Sequence, residues 1–249
     1  MFFLRKQGWL LVSLVFFLIT SVAQAASISV SPVLITLNTS DSIVAMTVTN
    51  HGGDTVVMQA SINDWSIRNN QEHYEETDRL IVSPPVFEIA PGKSQIVRIG
   101  LLDTEPKVIE QSFRVFLEQA PATPSDENSS SGAENIPRGV QVMLRIGVPV
   151  FVKSVMPSAS RLVWSAQRQP DGRLRIEADN QGGAHAKISR LALIDKNKSV
   201  ASSDMLTYIL PGSRRYWVLD VPAGINPPYA IKVDTNTGVV ETQVSANKP

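Results

Sequence analysis

Between Val140 and Val152 every even position is apolar: Val140, Val142, Leu144, Ile146, Val148, Val150 and Val152. The odd positions up to 149 are mixed, with Gln141, Met143, Arg145, Gly147 and Pro149. Side chains of a strand alternate between two faces, so the pattern predicts a long strand with one continuous apolar edge. Sandwich strands average about 5–6 residues, and this one can run about twice that. An apolar strand longer than its own sheet needs is either an aggregation hazard or a device for completing another protein's sheet.

The rest of the chain carries strand patterns at short intervals and no convincing amphipathic helix. Ser27–Leu37, interrupted by Pro32, is followed by Ser42–Thr49, Thr55–Trp65, Leu80–Val82, Val86–Ile89, Ser94–Leu101 and Phe113–Gln119. A second series covers Arg161–Arg168, Arg173–Asn180, Ala186–Ile194, Leu206–Leu210, Arg214–Val221, Tyr229–Thr235 and Val239–Val244. Turn signals separate them, among them Asn50-His-Gly-Gly53, Pro91-Gly92, Asn180-Gln-Gly-Gly183 and Pro211-Gly212. Strands and turns at this spacing predict β-sandwiches. Pro121–Gly139 is rich in Ser, Asn, Glu, Gly and Pro and reads as a loop inside the first domain. The domain boundary is expected at Lys153–Ser158, where Pro157 ends the long strand.

Composition narrows the function. Arg5 and Lys6, the apolar run Gly8–Val22 and Ala23-Gln-Ala25 read as a cleavable export signal over residues 1–25. The apolar run is about 15 residues, short of the about 20 that a spanning helix needs, so no membrane insertion is expected after cleavage. About 224 of the 249 residues then remain, enough for two cores of about 100 residues each. Basic and acidic side chains number 23 each and the basic ones are scattered, which gives no field to recruit nucleic acid. With no cysteine there is no disulfide, thiol nucleophile or Cys-ligated metal. His51, His73 and His185 lack metal-ligand spacing and read as polar turn residues. The acidic run Glu72–Asp78 reads as a solvated hairpin, not a glycosidase pair or a calcium loop. No phosphate loop or nucleophile elbow is present, so neither an enzyme nor a cofactor is expected.

Four stretches together resemble the PapD-like periplasmic chaperones of the chaperone–usher pilus pathway. They are Ser31-Pro-Val33 with Thr47-Val-Thr-Asn50, Leu80-Ile-Val-Ser-Pro-Pro-Val-Phe-Glu-Ile-Ala-Pro-Gly92 leading to Gln95-Ile-Val-Arg-Ile-Gly100, Phe113-Arg-Val-Phe-Leu-Glu118 followed by the strand 140–152, and Asn180 with Leu210-Pro-Gly-Ser-Arg-Arg-Tyr-Trp217. Val148-Pro-Val-Phe-Val152 is similar to the Leu-Pro-Val-Phe-Val phrase of the family's archaic branch. The resemblance implies an all-β chain of two immunoglobulin-like domains, 26–153 and 154–249, arranged as a boomerang with a cleft between them. It also implies a periplasmic protein that binds pilus subunits, lends each a strand to fill its groove, and hands it to an outer-membrane usher. On that reading Val140, Val142, Leu144 and Ile146 enter the subunit groove, while Val148, Val150 and Val152 fill the domain's own core. Self-association of the free protein through the same strand stays open.

The resemblance breaks at one point. In the family's classical branch an Arg on the first strand and a Lys on the donor strand hold the subunit's terminal carboxylate. Those positions fall here at Leu34 and near Pro149, neither cationic. Arg98, Arg114 and Arg145 are the candidate replacements. Arg98 and Arg114 read equally as anchors or as partners in internal salt bridges, for example to Glu88 or Glu118, and Arg145 reads better as internal. Two rival functions are a structural pilus subunit or adhesin and an exported carbohydrate-binding sandwich. The mid-chain position of the long strand argues against the first. Trp65, Trp164 and Trp217, which read as core, argue against the second.

Overall fold

The computed structural model describes residues 28–120 and 143–245. The export signal, the 121–139 loop, Val140 and Val142 lie outside the described residues. In the first half run β1 (Ile28–Ser31), β2 (Ile35–Leu37), β3 (Ile43–Asn50), β4 (Val56–Arg68), β5 (Gln71–Glu76), β6 (Leu80–Ser83), β7 (Val86–Ile89), β8 (Ser94–Leu101), β9 (Gln111–Gln119) and β10 (Arg145–Val152). In the second half run β11 (Leu162–Arg168), β12 (Leu174–Asn180), β13 (Ala186–Asp195), β14 (Lys198–Ser203), β15 (Thr207–Ile209), β16 (Arg214–Leu219), β17 (Tyr229–Thr235) and β18 (Gly238–Val244). The described residues contain no helix, as the sequence pattern led us to expect.

β1 to β10 form two sheets, ordered β1-β3-β8-β6 and β2-β10-β9-β4-β5, with β7 on β4. β11 to β18 form two more, β11-β12-β16 and β14-β13-β17-β18, with β15 on β13. The segment read as one strand broken by Pro32 is two strands in opposite sheets, which ties the sheets together at their edge. β14 was not predicted. Its sequence, Lys-Ser-Val-Ala-Ser-Ser, carries only Val200 and Ala201 as apolar residues, too few for alternation to give a signal.

Each half buries its own core. Met46, Val48, Met58, Val97, Ile99, Phe113, Val115, Leu117, Val148 and Val150 fill the first. Leu174, Ile176, Ile188, Leu191, Leu193, Ile209, Trp217, Ile231 and Val233 fill the second.

One polar device appears in both. Asn50 is fully buried, and its amide donates to the carbonyls of Asp54 (2.7 Å) and Ile89 (2.9 Å) while its oxygen accepts from Gly52 N–H (2.8 Å). Asn180 repeats this with Ala184 (2.8 Å), Ile209 (2.9 Å) and Gly182 (3.0 Å). Each Asn carbonyl also accepts from a turn glycine held at positive φ, Gly92 (67°) and Gly212 (70°). The paired Asn-x-Gly-Gly and Pro-Gly signals in the sequence are therefore two copies of one staple. Each joins a strand end to the turn of the facing sheet.

Removing either amide leaves buried backbone groups without partners. Asn50→Ala and Asn180→Ala are each expected to destabilise their own sandwich by about 2–4 kcal/mol, read as a lowered midpoint in denaturant unfolding. Equal, small effects from both changes would contradict the staple.

Candidate functional site

The backbone of β10 is bonded on one side and open on the other. Gln119 N–H donates to the Leu144 carbonyl at 2.9 Å, and Lys153 N–H donates to the Leu37 carbonyl at 2.8 Å. In an antiparallel ladder alternate residues bond the neighbouring strand. Even-numbered residues of β10 therefore turn their N–H and C=O to β9, and odd-numbered residues turn theirs to the opposite edge. On that edge β2 pairs only Val150–Val152. The N–H and C=O of Arg145 and Gly147 consequently have no strand beside them among the described residues. Pro149 falls on the same edge, so its missing N–H removes nothing from the ladder with β9.

Side chains follow the same parity. Val148, Val150 and Val152 are buried in the first core, as expected. Ile146 packs partly against that core, and Leu144 beyond it is half-buried. The apolar stripe thus runs out of the sandwich as the open edge begins.

The other face of this sheet carries a chain of aromatic and cationic contacts. Arg145 pairs with Glu118 at 2.7 Å and lies over the Phe116 ring at 4.0 Å. Phe116 meets Tyr74 edge-on at 4.8 Å. Arg114 lies 4.2 Å over Trp65 and bonds Glu72 (3.3 Å) and the Tyr74 hydroxyl (3.2 Å). Gly147 makes room for this layer: a Cβ there would sit 3.2 Å from Arg114 Cδ and 3.3 Å from Phe116 Cε1.

Trp65 continues the chain into the joint between the sandwiches. It clusters with Ile67, Phe151, Tyr208 and Leu210, and Leu34 packs against them. His185, expected as a polar turn residue, stacks on Phe151 at 3.6 Å and bonds Glu110 at 2.7 Å. Leu34, the first of the two positions where the classical cationic pair is expected, thus borders an apolar cluster.

The three candidate arginines are separated. Arg98 is exposed on the outer face of the β1-β3-β8-β6 sheet, away from β10. Arg145 is half-exposed in its pair with Glu118. Arg114, opposite Pro149 on β9, is mostly buried next to the joint. Its Nε and the Trp65 Nε1 are buried with no hydrogen-bond partner among the described residues. Glu72 also pairs with Arg215 of β16 at 3.0 Å, so one carboxylate stands between two guanidinium groups.

Sequence reading missed Glu72, Tyr74, Phe116 and Arg215; Trp65, read as core, is buried, in the cluster at the joint. The phase of the alternation could have found two of these. Trp65 is out of step with the buried stripe Val56, Met58, Ala60, and Phe116 with Phe113, Val115, Leu117. Among the described residues no three His, Cys, Asp or Glu converge as a metal site would require.

Burial, and then the hydrogen bond that Tyr74 donates to Glu72, push the Tyr74 phenol up to about 12. Burial also raises Tyr208, and it lowers the Arg215 guanidinium against the pull of Glu72. A phenol raised in the folded state contributes stability below its ordinary value near 10 and loses it as pH climbs to 12. The unfolding midpoint is expected to fall between pH 10 and 12, less steeply in Tyr74→Phe; parallel curves would contradict the buried phenol.

Comparison with known proteins follows the same architecture. The chain is similar to a chain of the CsuC–CsuE chaperone–tip adhesion subunit pre-assembly complex from archaic chaperone-usher Csu pili of Acinetobacter baumannii. Identity is 18%, covering 90% of this chain and 100% of that one, with a TM-score of 0.66. It is also similar to the E. coli chaperone DraB (21% identity, 90% and 97% covered, TM-score 0.56) and the Pseudomonas aeruginosa CupB2 chaperone (16%, 88% and 100%, 0.58). At these identities the likeness is one of fold. No curated protein matches. The family model for pili and flagellar-assembly chaperones, PapD N-terminal domain, matches residues 27–158, more than half of the chain, and the protein belongs to that family.

Proposed function

We propose that this chaperone captures pilus subunits in the periplasm by lending them the open edge of β10, and passes them to an outer-membrane usher. One observation carries the reading: the unpaired edge at Arg145–Pro149 lies where the apolar stripe leaves its own core. A subunit strand laid along that edge would take up the N–H and C=O of Arg145 and Gly147. The even side chains Ile146, Leu144, Val142 and Val140 would then enter the subunit's groove, each contributing on the order of 1.5–3 kcal/mol by burial. Ordering of the two partners offsets part of this. Neither a nucleotide nor a catalytic step is needed. The organisation that goes with this reading is an export signal at 1–25, a donor domain at 26–153 and a second domain at 154–249.

For the subunit's terminal carboxylate, Arg114 is the best-supported of the three candidates. It lies opposite the end of the open edge, and its Nε has no partner among the described residues. The site it shares with Glu72 and Arg215 holds one more positive charge than negative, so an added carboxylate would balance it. Arg98 is distant from this edge, and Arg145 already has Glu118. The absence of the usual cationic pair at Leu34 and Pro149 favours the archaic branch.

Co-expression of a candidate subunit in the periplasm tests the edge. Leu144→Asp is expected to lose at least about tenfold of the co-purifying subunit while keeping the wild-type unfolding midpoint, since Leu144 is half-buried at the rim. Undiminished capture would overturn the donor assignment. A peptide of the subunit's last strand tests the anchor. Arg114→Gln is expected to weaken the free-acid form and leave the C-terminal amide unchanged; equal losses for both would remove Arg114 from that role.

A further inference from the structure

The tip of the β4–β5 hairpin, Asn69-Asn70, reaches out of the first sandwich onto β16 of the second. Both residues have positive φ, 52° and 65°, as a two-residue hairpin turn requires, and Asn tolerates that conformation better than most residues. The contact it makes has the geometry of strand pairing. Tyr216 N–H donates to Asn70 Oδ1 at 2.9 Å, and Asn70 Nδ2 donates to the Tyr216 carbonyl at 3.2 Å. β16 is an edge strand, paired only with β12. The Asn70 amide therefore occupies backbone groups that no strand of the second sandwich satisfies.

Arg215, the neighbouring residue, is 8% exposed and reinforces the contact. It donates to the Tyr208 carbonyl of its own half at 3.2 Å, to the Asn70 carbonyl, and to Glu72 at 3.0 Å. A buried guanidinium is costly unless its donors are paired, and two of these three acceptors belong to the first sandwich. Separating the halves would strand Arg215 and reopen the β16 edge together.

We infer that the β4–β5 hairpin is a latch that fixes the angle between the two sandwiches, with Asn70 as its positioning residue. The apolar cluster of Trp65, Phe151, Tyr208 and Leu210 supplies contact area but little direction, because burial is non-directional. The amide pairing and the Arg215 fork supply direction, as do the bonds that Glu110 makes to Gly183 and His185 across the joint. Resting on the donor-edge reading, the latch sets where the second sandwich stands beside a strand laid on β10. Asn70 is thus a positioning residue for subunit capture.

The chain has no cysteine, so two introduced ones can be spin-labelled without background. Exposed Lys93→Cys and Lys198→Cys place one label on each half of the full chain. Asn70→Gly keeps the turn, since glycine adopts positive φ freely, and removes only the amide. Loss of two hydrogen bonds is expected to shift the latched-to-open ratio by about fivefold to thirtyfold. The distance distribution should broaden, and the amount of co-purified subunit should fall, with both sandwiches still folded by circular dichroism. Should Asn70→Gly prove unstable, Asn70→Asp serves the same test, because it keeps the acceptor for Tyr216 N–H and loses the donor. An unchanged distribution would overturn the latch. A broadened distribution with undiminished capture would overturn its role in positioning. Failure of the donor-edge reading is distinguishable, because Leu144→Asp would then capture normally whatever the distances.

Discussion

Hydrogen bonding along β10 is complete toward β9, and among the described residues it is met on the other side only at Val150–Val152. A strand in the middle of a sheet has both edges satisfied. β10 has one edge satisfied throughout and the other only where the three residues of β2 lie against it. Open edges invite pairing with another chain and are normally blunted or covered. Among the described residues this one is blunted only by Pro149, at the end nearest β2. The side-chain stripe explains why the edge is useful when filled: the same residues that bond β9 carry apolar side chains past the limit of the core. A partner strand gains backbone pairing and core-type burial in one step, with no chemistry required.

The joint is the second constraint. Where classical relatives are expected to carry a cationic pair, this chain has Leu34, packed against an aromatic cluster, and a site near Pro149 that is not cationic. Positive charge appears instead on β9 and β16, as Arg114 and Arg215 held on either side of Glu72. That displacement gives the hairpin carrying Glu72 two contacts at once, to the donor sheet through Arg114 and to the second sandwich through Arg215. The charge that would receive a ligand and the charge that holds the halves together share one carboxylate.

Much of this was legible in the sequence, for physical reasons that differ by element. Long alternating runs such as Ile43–Asn50 and the even stripe through Val152 are readable because one face is buried and the other is not. The turn pairs Asn50-His-Gly-Gly53 and Asn180-Gln-Gly-Gly183 are readable because an Asn side chain bonds the backbone two residues on, as Asn50 does with Gly52 and Asn180 with Gly182. β14 was not readable, because only Val200 and Ala201 interrupt its polar run and its place is set by pairing with β13. The joint was least readable. Glu72 looked like one acid in a solvated run, and Trp65 like one more core residue. Their roles appear only when sheet parity turns them outward and the second sandwich covers them. The arginines could be named from sequence but not ranked, because exposure and partners are tertiary properties.

The most direct test of the donor edge is amide hydrogen exchange, residue by residue, on the free chaperone and on its complex with a subunit. The account predicts a parity. Arg145 and Gly147 amides exchange quickly in the free chain and become protected in the complex. Ile146 and Val148, already bonded to β9, are protected in both. Protection that appears elsewhere on the molecule while Arg145 and Gly147 stay open would contradict it.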